Sequence, residues 1–511
     1  MITMINFIIT YVSTVLVLYY TYVFGLCLLF HPLRKYRGPL AARVSYAYSG
    51  YFALKRNLHL KIHETHSELG PVVRLAPDRL VFNTIEALRD IYQNEKITKS
   101  HVYTEAQQGQ HNVFITTDKA KHRPKRRLIG RVLSEQSMRV FEPTMKELID
   151  RFLKQLLLSN RGPVNMTHTC RYLGLDIAGQ LGFGYDLKLQ TEDTNRFLTD
   201  ILSLGSFRIN LYMQFPLMAK VRPELLMGLF PSQPRQKFMG VVKTMISSRL
   251  AQPSDAKQDL LSVFKDKANI DIENIKQEEL WTEALFFFPA GGETTATAMA
   301  ACFFYLSRNP ECYQTLVEEI RTTFNSGAKI HNGPRLAGCR YLRACIDESL
   351  RMCPPAPGTL WREPVAEYKN QPFVVDGHVV PPGTQVGVNI YSLHHNEKYF
   401  PNSFEFQPER WLGDNKDMVH KAFAAFSIGS RGCAGKAMAY HEVSLVLAKT
   451  LWYFDFEVAP GKIGELGAGK PGIAGARGRQ GEFQVYDTFS ASHDGPNLVF
   501  HPRDDLCNEL V

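Results

Sequence analysis

No two of the nine cysteines stand close enough to form a Cys-x-x-Cys pair; they fall at 27, 170, 302, 312, 339, 345, 353, 433 and 507. That spacing excludes the common zinc sites and a disulfide lattice, and a cytosolic domain keeps such thiols reduced. No internal repeat and no clear interdomain linker divides the 511 residues, so a solenoid is excluded and one large domain fits best. A long unbroken Lys/Arg block is also lacking, although the formal net charge is +9. Nucleic-acid binding would therefore rest on charge alone; an anionic membrane surface or an acidic protein suits the excess equally. Finally, the first 30 residues contain no charged side chain. They have no basic start and no convincing small-residue cleavage site, which argues against a removed signal peptide.

What those residues do contain is Phe, Ile, Val, Leu and Tyr, over more than the roughly 20 positions needed to cross a bilayer. Residues 1–31 are expected to form a transmembrane anchor, followed by a basic, proline-containing linker over 32–45 and a catalytic domain over 46–511. Arg34, Lys35 and Arg37 follow the apolar run, and the positive-inside bias puts the large domain in the cytosol. There the sequon Asn165-Met-Thr167 would meet no glycosyltransferase.

Beyond the linker, Gly70 to Phe82 reads as a hairpin around Pro77-Asp78. From about Lys119 to Ile320 the apolar period is helical, interrupted between Ser206 and Pro231. Leu280–Leu306 is a long helix candidate, and a second runs from Cys339 to Met352 before Pro354-Pro355. Strands are expected at 373–375, 378–380 and 384–390. Residues 461–481, rich in glycine, read as a mobile surface loop, and Thr488-Phe489 with 495–500 as a last hairpin.

The run Phe426-Ser-Ile-Gly429-Ser-Arg431-Gly-Cys433-Ala-Gly435 is the most informative. A lone cysteine among glycines precedes a helix, whose unpaired N–H groups and dipole favour a thiolate. A structural cysteine beside a turn would look similar, but an axial thiolate on haem iron suits the pattern better. Glu293 and Thr294 interrupt an apolar helix, where a carboxylate is costly unless solvated or paired. They read as a proton relay, or as a kink in which Thr294 bonds an upstream carbonyl and Glu293 reaches water. Glu348 and Arg351 share a helix face, with Arg410 as a third member of a structural network. His122 and Arg126, four apart on a helix expected to begin near Pro124, could meet an anion such as a haem propionate. Arg431 and, more weakly, Arg362 could join them.

Taken together, these segments resemble the cytochrome P-450 family. Phe426, Gly429, Arg431, Cys433 and Gly435 match its F-x-x-G-x-R-x-C-x-G pattern; Ala290, Gly291, Glu293, Thr294 and Thr295 match A-G-x-[DE]-T-[TS]. Glu348 and Arg351 match E-x-x-R, and Pro408-Glu409-Arg410 the later P-E-R. The matches occur in family order between about residues 40 and 502. The resemblance implies a mainly α fold with a small β portion, haem b (heme, iron protoporphyrin IX) ligated by Cys433, and catalytic roles for Glu293 and Thr294. His122, Arg126, Arg362, Phe426, Arg431 and Gly435 would hold the cofactor. It further implies electrons from NADPH through an FAD/FMN reductase, with cytochrome b5 as an additional donor, and an endoplasmic-reticulum membrane location.

The anchor, Trp411-Leu-Gly and the Arg-Glu after the double proline resemble filamentous-fungal members that tailor secondary metabolites. Family substrate segments would fall at Gln107–Ile115, Leu204–Leu217, Phe286–Phe288, Ala356–Trp361 and Thr488–Ser492. Their composition suggests an apolar, aromatic or phenolic small molecule. Oxygen insertion is the expected reaction. Phenol coupling, desaturation or a non-catalytic, membrane-tethered haem-binding role are the alternatives.

Overall fold

The computed structural model describes residues 2–107, 112–221, 232–252, 259 and 277–510. The uncharged terminus forms helix α1 (Ile2–Gly25), continued by a wider turn over Leu26–Phe30. Thr10, Thr14 and Thr21 each donate to a carbonyl one turn earlier, so their hydroxyls need no water. Phe7, Tyr11, Val15, Leu18 and Tyr22 are exposed. The expected spanning anchor is not met in that form. Among the described residues, which leave out several side chains of α1, no helix is long and apolar enough to cross a membrane. The segment over 32–45 is packed: Leu33 and Tyr36 are buried, and Tyr36 Oη donates to Val379 O.

The β portion is small. Its main sheet has the order β1-β2-β8-β5-β3, from β1 (Val72–Ala76), β2 (Arg79–Phe82), β3 (Ile97–Lys99), β5 (Arg362–Pro364) and β8 (Gln385–Val388). The expected hairpin is present, with Val73 opposite Val81 and Pro77-Asp78 at the turn. β2 runs parallel to β8, while β5 lies antiparallel to both β8 and β3. A second sheet, β4-β10-β9, joins β4 (Val164–Asn165), β10 (Asn497–Pro502) and β9 (Phe454–Val458); β6 (Phe373–Val375) and β7 (His378–Val380) form a separate pair. The C-terminal strand thus pairs with 454–458 rather than with 488–489, correcting the expected last hairpin. Residues 486–492 close on themselves through a Tyr486–Ser492 bridge.

The helical mass includes α2 (Lys119–Val132), α3 (Glu135–Leu158), α4 (Met166–Phe183), α5 (Phe197–Gln214), α6 (Gln277–Arg308), α7 (Arg340–Met352) and α8 (Lys436–Tyr453). α2 starts earlier than expected because Asp118 caps it, accepting from the Ala120 and Lys121 amides; Pro124 falls within its second turn. α5 runs on to Gln214 and a short helix follows over Pro216–Val221, so the interruption narrows to Phe215; residues 222–231 lie outside the described residues.

α4 and α6 cross very closely. A Cβ added to Gly174 would sit 2.5 Å from Gly292 O, and one added to Gly292 would sit 2.6 Å from Leu175 Cδ2. Only hydrogen fits at either position, and that approach determines which side chains of the two helices meet.

The expected brace is present. Glu348 takes two hydrogen bonds of 2.8 Å from Arg351, one of 2.9 Å from Arg410 and one of 3.0 Å from Trp411 Nε1. Burial raises the Glu348 pKa, yet the two guanidinium groups outweigh it and the net shift is downward. The glycine-rich segment is more ordered than a free loop. Gly464 and Ala476 are buried, Arg479 pairs with Glu482 at 3.0 Å, and the Arg479 guanidinium lies 3.6 Å from the Phe404 ring centre.

Candidate functional site

Gly429 lies at φ +74°, and an added Cβ would sit 2.0 Å from Tyr92 O; this turn therefore requires glycine. The loop then closes through a 2.8 Å bond from the Cys433 amide to Phe426 O. The Phe426 ring rests 5.1 Å from Tyr440 on α8. Gly435 occupies the position just before α8, where the helix leaves amides without intrahelical partners. Cys433 is exposed, yet the protein around it desolvates the thiol and raises its pKa. Hydrogen bonds from the Gly435 and Lys436 amides and the charges of Arg126 and Lys436 act in the opposite direction. The protein supplies part of what a thiolate needs. A bound metal ion would supply the remainder.

Cations gather beside this thiol. β3 and β5 pair Lys99 directly with Arg362, so one face of the sheet presents both. Arg431 donates to Thr116 O at 2.7 Å and Thr117 O at 3.0 Å; Arg362 donates to Trp361 O at 3.0 Å. Lys99 Nζ donates to Phe114 O and lies 3.8 Å from the Phe114 ring centre. His122 and Arg126 approach from α2, with His122 buried. Desolvation lowers the His122 pKa to about 3, and Arg431, Lys99 and Arg126 push it the same way. Lys99 is held well below its usual range by burial, with Arg362, Arg431 and Arg126 adding repulsion. Arg431 falls to about 10 through burial and Arg362, relieved only partly by Asp118. Such a cluster of cations, with Lys99 and Arg362 buried and Arg126 and Arg431 half-buried, fits a group carrying more than one negative charge.

α6 meets this cluster through Phe286, which stacks on the Phe114 ring that Lys99 also contacts. Phe286, Ala290 and Thr294 are spaced by four and lie on one face; each is partly exposed, whereas Phe287, Phe288, Gly292 and Glu293 are buried. Thr294 Oγ1 donates to Ala290 O at 2.7 Å, and Thr295 Oγ1 to Gly291 O at 2.6 Å. Glu293 points elsewhere, to Arg171 on α4 at 2.7 Å. Arg171 also donates to Thr199 O and Ser203 Oγ on α5, at 2.7 and 2.8 Å. Burial raises the Glu293 pKa, with Arg171 pulling it down. The threonine back-bond matches the kink reading, while the carboxylate is paired with a guanidinium.

The structure brings together Cys433, Phe426, Gly435, Arg431, Arg362, His122 and Arg126, while Glu293 turns to Arg171 and Thr294 bonds within its own helix. Lys99 and Arg171 were missed. Lys99 had a faint signal, as the last residue of an alternating stretch ending in a buried strand; Arg171 had none, being one charge on a mixed helix. Another unpredicted tie holds the walls in place. Lys125 on α2 pairs with buried Glu283 on α6 at 2.9 Å, and Glu283 also accepts the Val113 amide at 2.8 Å. Of the expected substrate segment Gln107–Ile115, residues 108–111 lie outside the described residues.

The family model for cytochrome P-450 matches residues 46–473. The cytochrome P-450 monooxygenase poxM of Penicillium oxalicum is 35% identical, over 94% of this chain and 92% of its own length. The cytochrome P-450 monooxygenase AKT7 of Alternaria alternata is 33% identical, over 92% of this chain and 93% of its own. The cytochrome P-450 monooxygenase apf7 of Gibberella fujikuroi is also 33% identical, over 93% and 95% respectively.

Proposed function

Since the chain belongs to the cytochrome P-450 family, we propose that it inserts one oxygen atom from O2 into an apolar or aromatic small molecule, an intermediate of fungal secondary metabolism. The observation that carries this reading is the convergence of Cys433 with His122, Arg126, Arg362, Arg431 and Lys99. These residues fit haem b: a thiol partly prepared to ionise for the iron, and cations whose repulsion the two propionates would relieve. When bound, the haem supplies the redox chemistry of oxygen activation, with electrons from an NADPH-dependent FAD/FMN reductase and cytochrome b5 as an additional donor.

The chain controls what surrounds that chemistry. Amides at the start of α8 hold the Cys433 sulfur and stabilise its charge. Gly429 lets the loop that carries Cys433 approach Tyr92 closely. Arg171 holds the Glu293 carboxylate, which must leave that pair before it can pass a proton toward Thr294 Oγ1. Thr294 can release its bond to Ala290 O by rotation and free its hydroxyl for proton transfer. Phe286 adds an apolar ring to the face of α6 that carries Thr294.

A reduced-protein carbon monoxide difference spectrum tests thiolate ligation. The intact chain is expected to give the thiolate-type Soret band and Cys433→His to lose it; a band unchanged in that variant refutes the reading. The terminal helix is proposed to attach the protein to the endoplasmic-reticulum membrane with the domain facing the cytosol, supported by its exposed Phe7, Tyr11, Val15 and Leu18. Release of the intact chain from membranes by alkaline carbonate would refute that attachment.

A further inference from the structure

Tyr440 on α8 is buried beside the loop that carries Cys433. Lys436 and Tyr440 stand four apart on α8, so they share a helix face, and both meet Phe426. The Lys436 ammonium lies 5.8 Å from the centre of the Phe426 ring, and the Tyr440 ring lies 5.1 Å from it at an angle of 45°. The Phe426 carbonyl accepts the Cys433 amide at 2.8 Å. Phe426 thus joins Tyr440 directly to the residue that holds the sulfur's backbone.

The phenol has a base already in place. Tyr440 Oη donates to Asp347 Oδ1 at 2.5 Å, and Asp347 on α7 is buried. Arg343, one turn earlier on α7, donates to Asp347 Oδ2 at 2.8 Å and lies 3.5 Å from the Tyr440 ring centre; half of its side chain is exposed. Burial and the Asp347 charge push the phenol pKa up, so it does not ionise by itself. Burial also raises the Asp347 pKa, against Arg343 and Tyr440, which makes the carboxylate readier to take a proton. A buried ring beside a guanidinium carries a second positive charge only at high cost. Tyr440 can therefore lose an electron only if its phenolic proton leaves in the same step, and the bond to Asp347 is where that proton goes.

Resting on the haem reading above, we infer that Tyr440 is a redox-active residue that returns one electron to over-oxidised haem while handing its phenolic proton to Asp347. The oxidant is a hydroperoxide that has oxidised the bound haem when no substrate is there to react. One electron then passes from Tyr440 to the haem, the Tyr440 O–H bond breaks, and the proton bonds to Asp347 Oδ1. A neutral phenoxyl radical and a neutral carboxylic acid remain, and the haem is reduced by one electron. One electron from a soluble reductant such as ascorbate restores the phenol, with the proton returning from Asp347. The role is protective: oxidising power not spent on substrate leaves on the Cys433 side instead of destroying the porphyrin.

The test uses haem-loaded full-length protein, free of substrate, mixed with hydrogen peroxide and frozen for electron paramagnetic resonance. The intact chain should give a tyrosyl radical signal, which narrows in protein made with ring-deuterated tyrosine. Tyr440→Phe removes only a hydroxyl; it should lose that signal and lose its Soret band faster in the same peroxide. Asp347→Asn should weaken the signal, since an amide does not take the proton. The carbon monoxide band of each variant reports that the haem is loaded. With that band normal, an unchanged radical signal in Tyr440→Phe, or no tyrosyl signal from the intact chain, overturns this inference alone. An unchanged signal in Asp347→Asn overturns Asp347 as the proton acceptor. Absence of any haem band from the intact chain overturns the haem reading, and this inference with it.

Discussion

Asp487 is a carboxyl buried without a cation, and its stability cost depends on pH in a calculable way. Burial raises its pKa from 3.8 to about 6, against the opposing hydrogen bonds from the Phe489 amide and Asn210. An acid whose folded-state pKa is raised is tolerated fully below its unfolded pKa, and its contribution is lost as pH climbs through the folded value. The shift of roughly two units corresponds to about 3 kcal/mol lost between pH 4 and pH 7. Near pH 5 about half of that loss has already occurred, leaving about 1.5 kcal/mol to be lost by pH 8. Asp487→Asn removes the titration but keeps an acceptor for Phe489. Its stability relative to the intact chain should therefore rise by about 1.5 kcal/mol from pH 5 to pH 8. With an unfolding entropy near 2 cal/mol/K per residue, a chain of this length should show that as roughly 1–2 °C in Tm. Thermal unfolding of the two proteins side by side at pH 5, 6, 7 and 8 reads the difference directly. A constant gap in Tm across the series would refute the reasoning, because it would place the Asp487 pKa outside that window in both states.

Lys99→Met should act with opposite signs on the two forms of the protein. Without haem it removes a buried ammonium repelled by Arg362, Arg431 and Arg126 and should raise Tm. With haem it should speed transfer of the cofactor to apomyoglobin, by a loss of about 1.5–3 kcal/mol for a charged hydrogen bond. Unchanged transfer would remove Lys99 from the cofactor site. Glu348→Ala should destabilise by about 3–5 kcal/mol, since fully buried Arg351 would lose its carboxylate. Chemical denaturation reads this, and a loss below about 1 kcal/mol would show that main-chain carbonyls alone satisfy the guanidinium.

Much of the site was legible along the chain because its parts are local. Gly429, Cys433 and Gly435 belong to one loop, and the demand for a residue without Cβ at 429 follows from how close Tyr92 O comes. Glu348 and Arg351 are one helical turn apart, so their pairing follows from helix geometry. His122 and Arg126 share a face of α2 wherever the helix begins, which is why the misplaced start did not disturb their pairing. Errors arose where local pattern carried no information on partners. Thr488-Phe489 and 495–500 both look extended, but the backbone bonds of 497–502 are taken by Phe454–Val458, leaving 486–492 to close alone. The glycines of 461–481 look unconstrained until Arg479 is seen packed on Phe404 and paired with Glu482.

The order of residues along this chain was sufficient to mark the Cys433 loop, the helix that carries Thr294 and the Glu348–Arg351 brace, since each is written within a few turns or one loop. Only the tertiary structure decided that Lys99 stands beside Arg362, that Glu293 turns to Arg171, and that Phe489 meets Phe114, which stacks on Phe286. Those contacts join segments more than a hundred residues apart. They depend on strand register, on two glycines that let α4 and α6 nearly touch, and on the Phe489 backbone at φ +76°, whose amide the buried Asp487 carboxylate accepts.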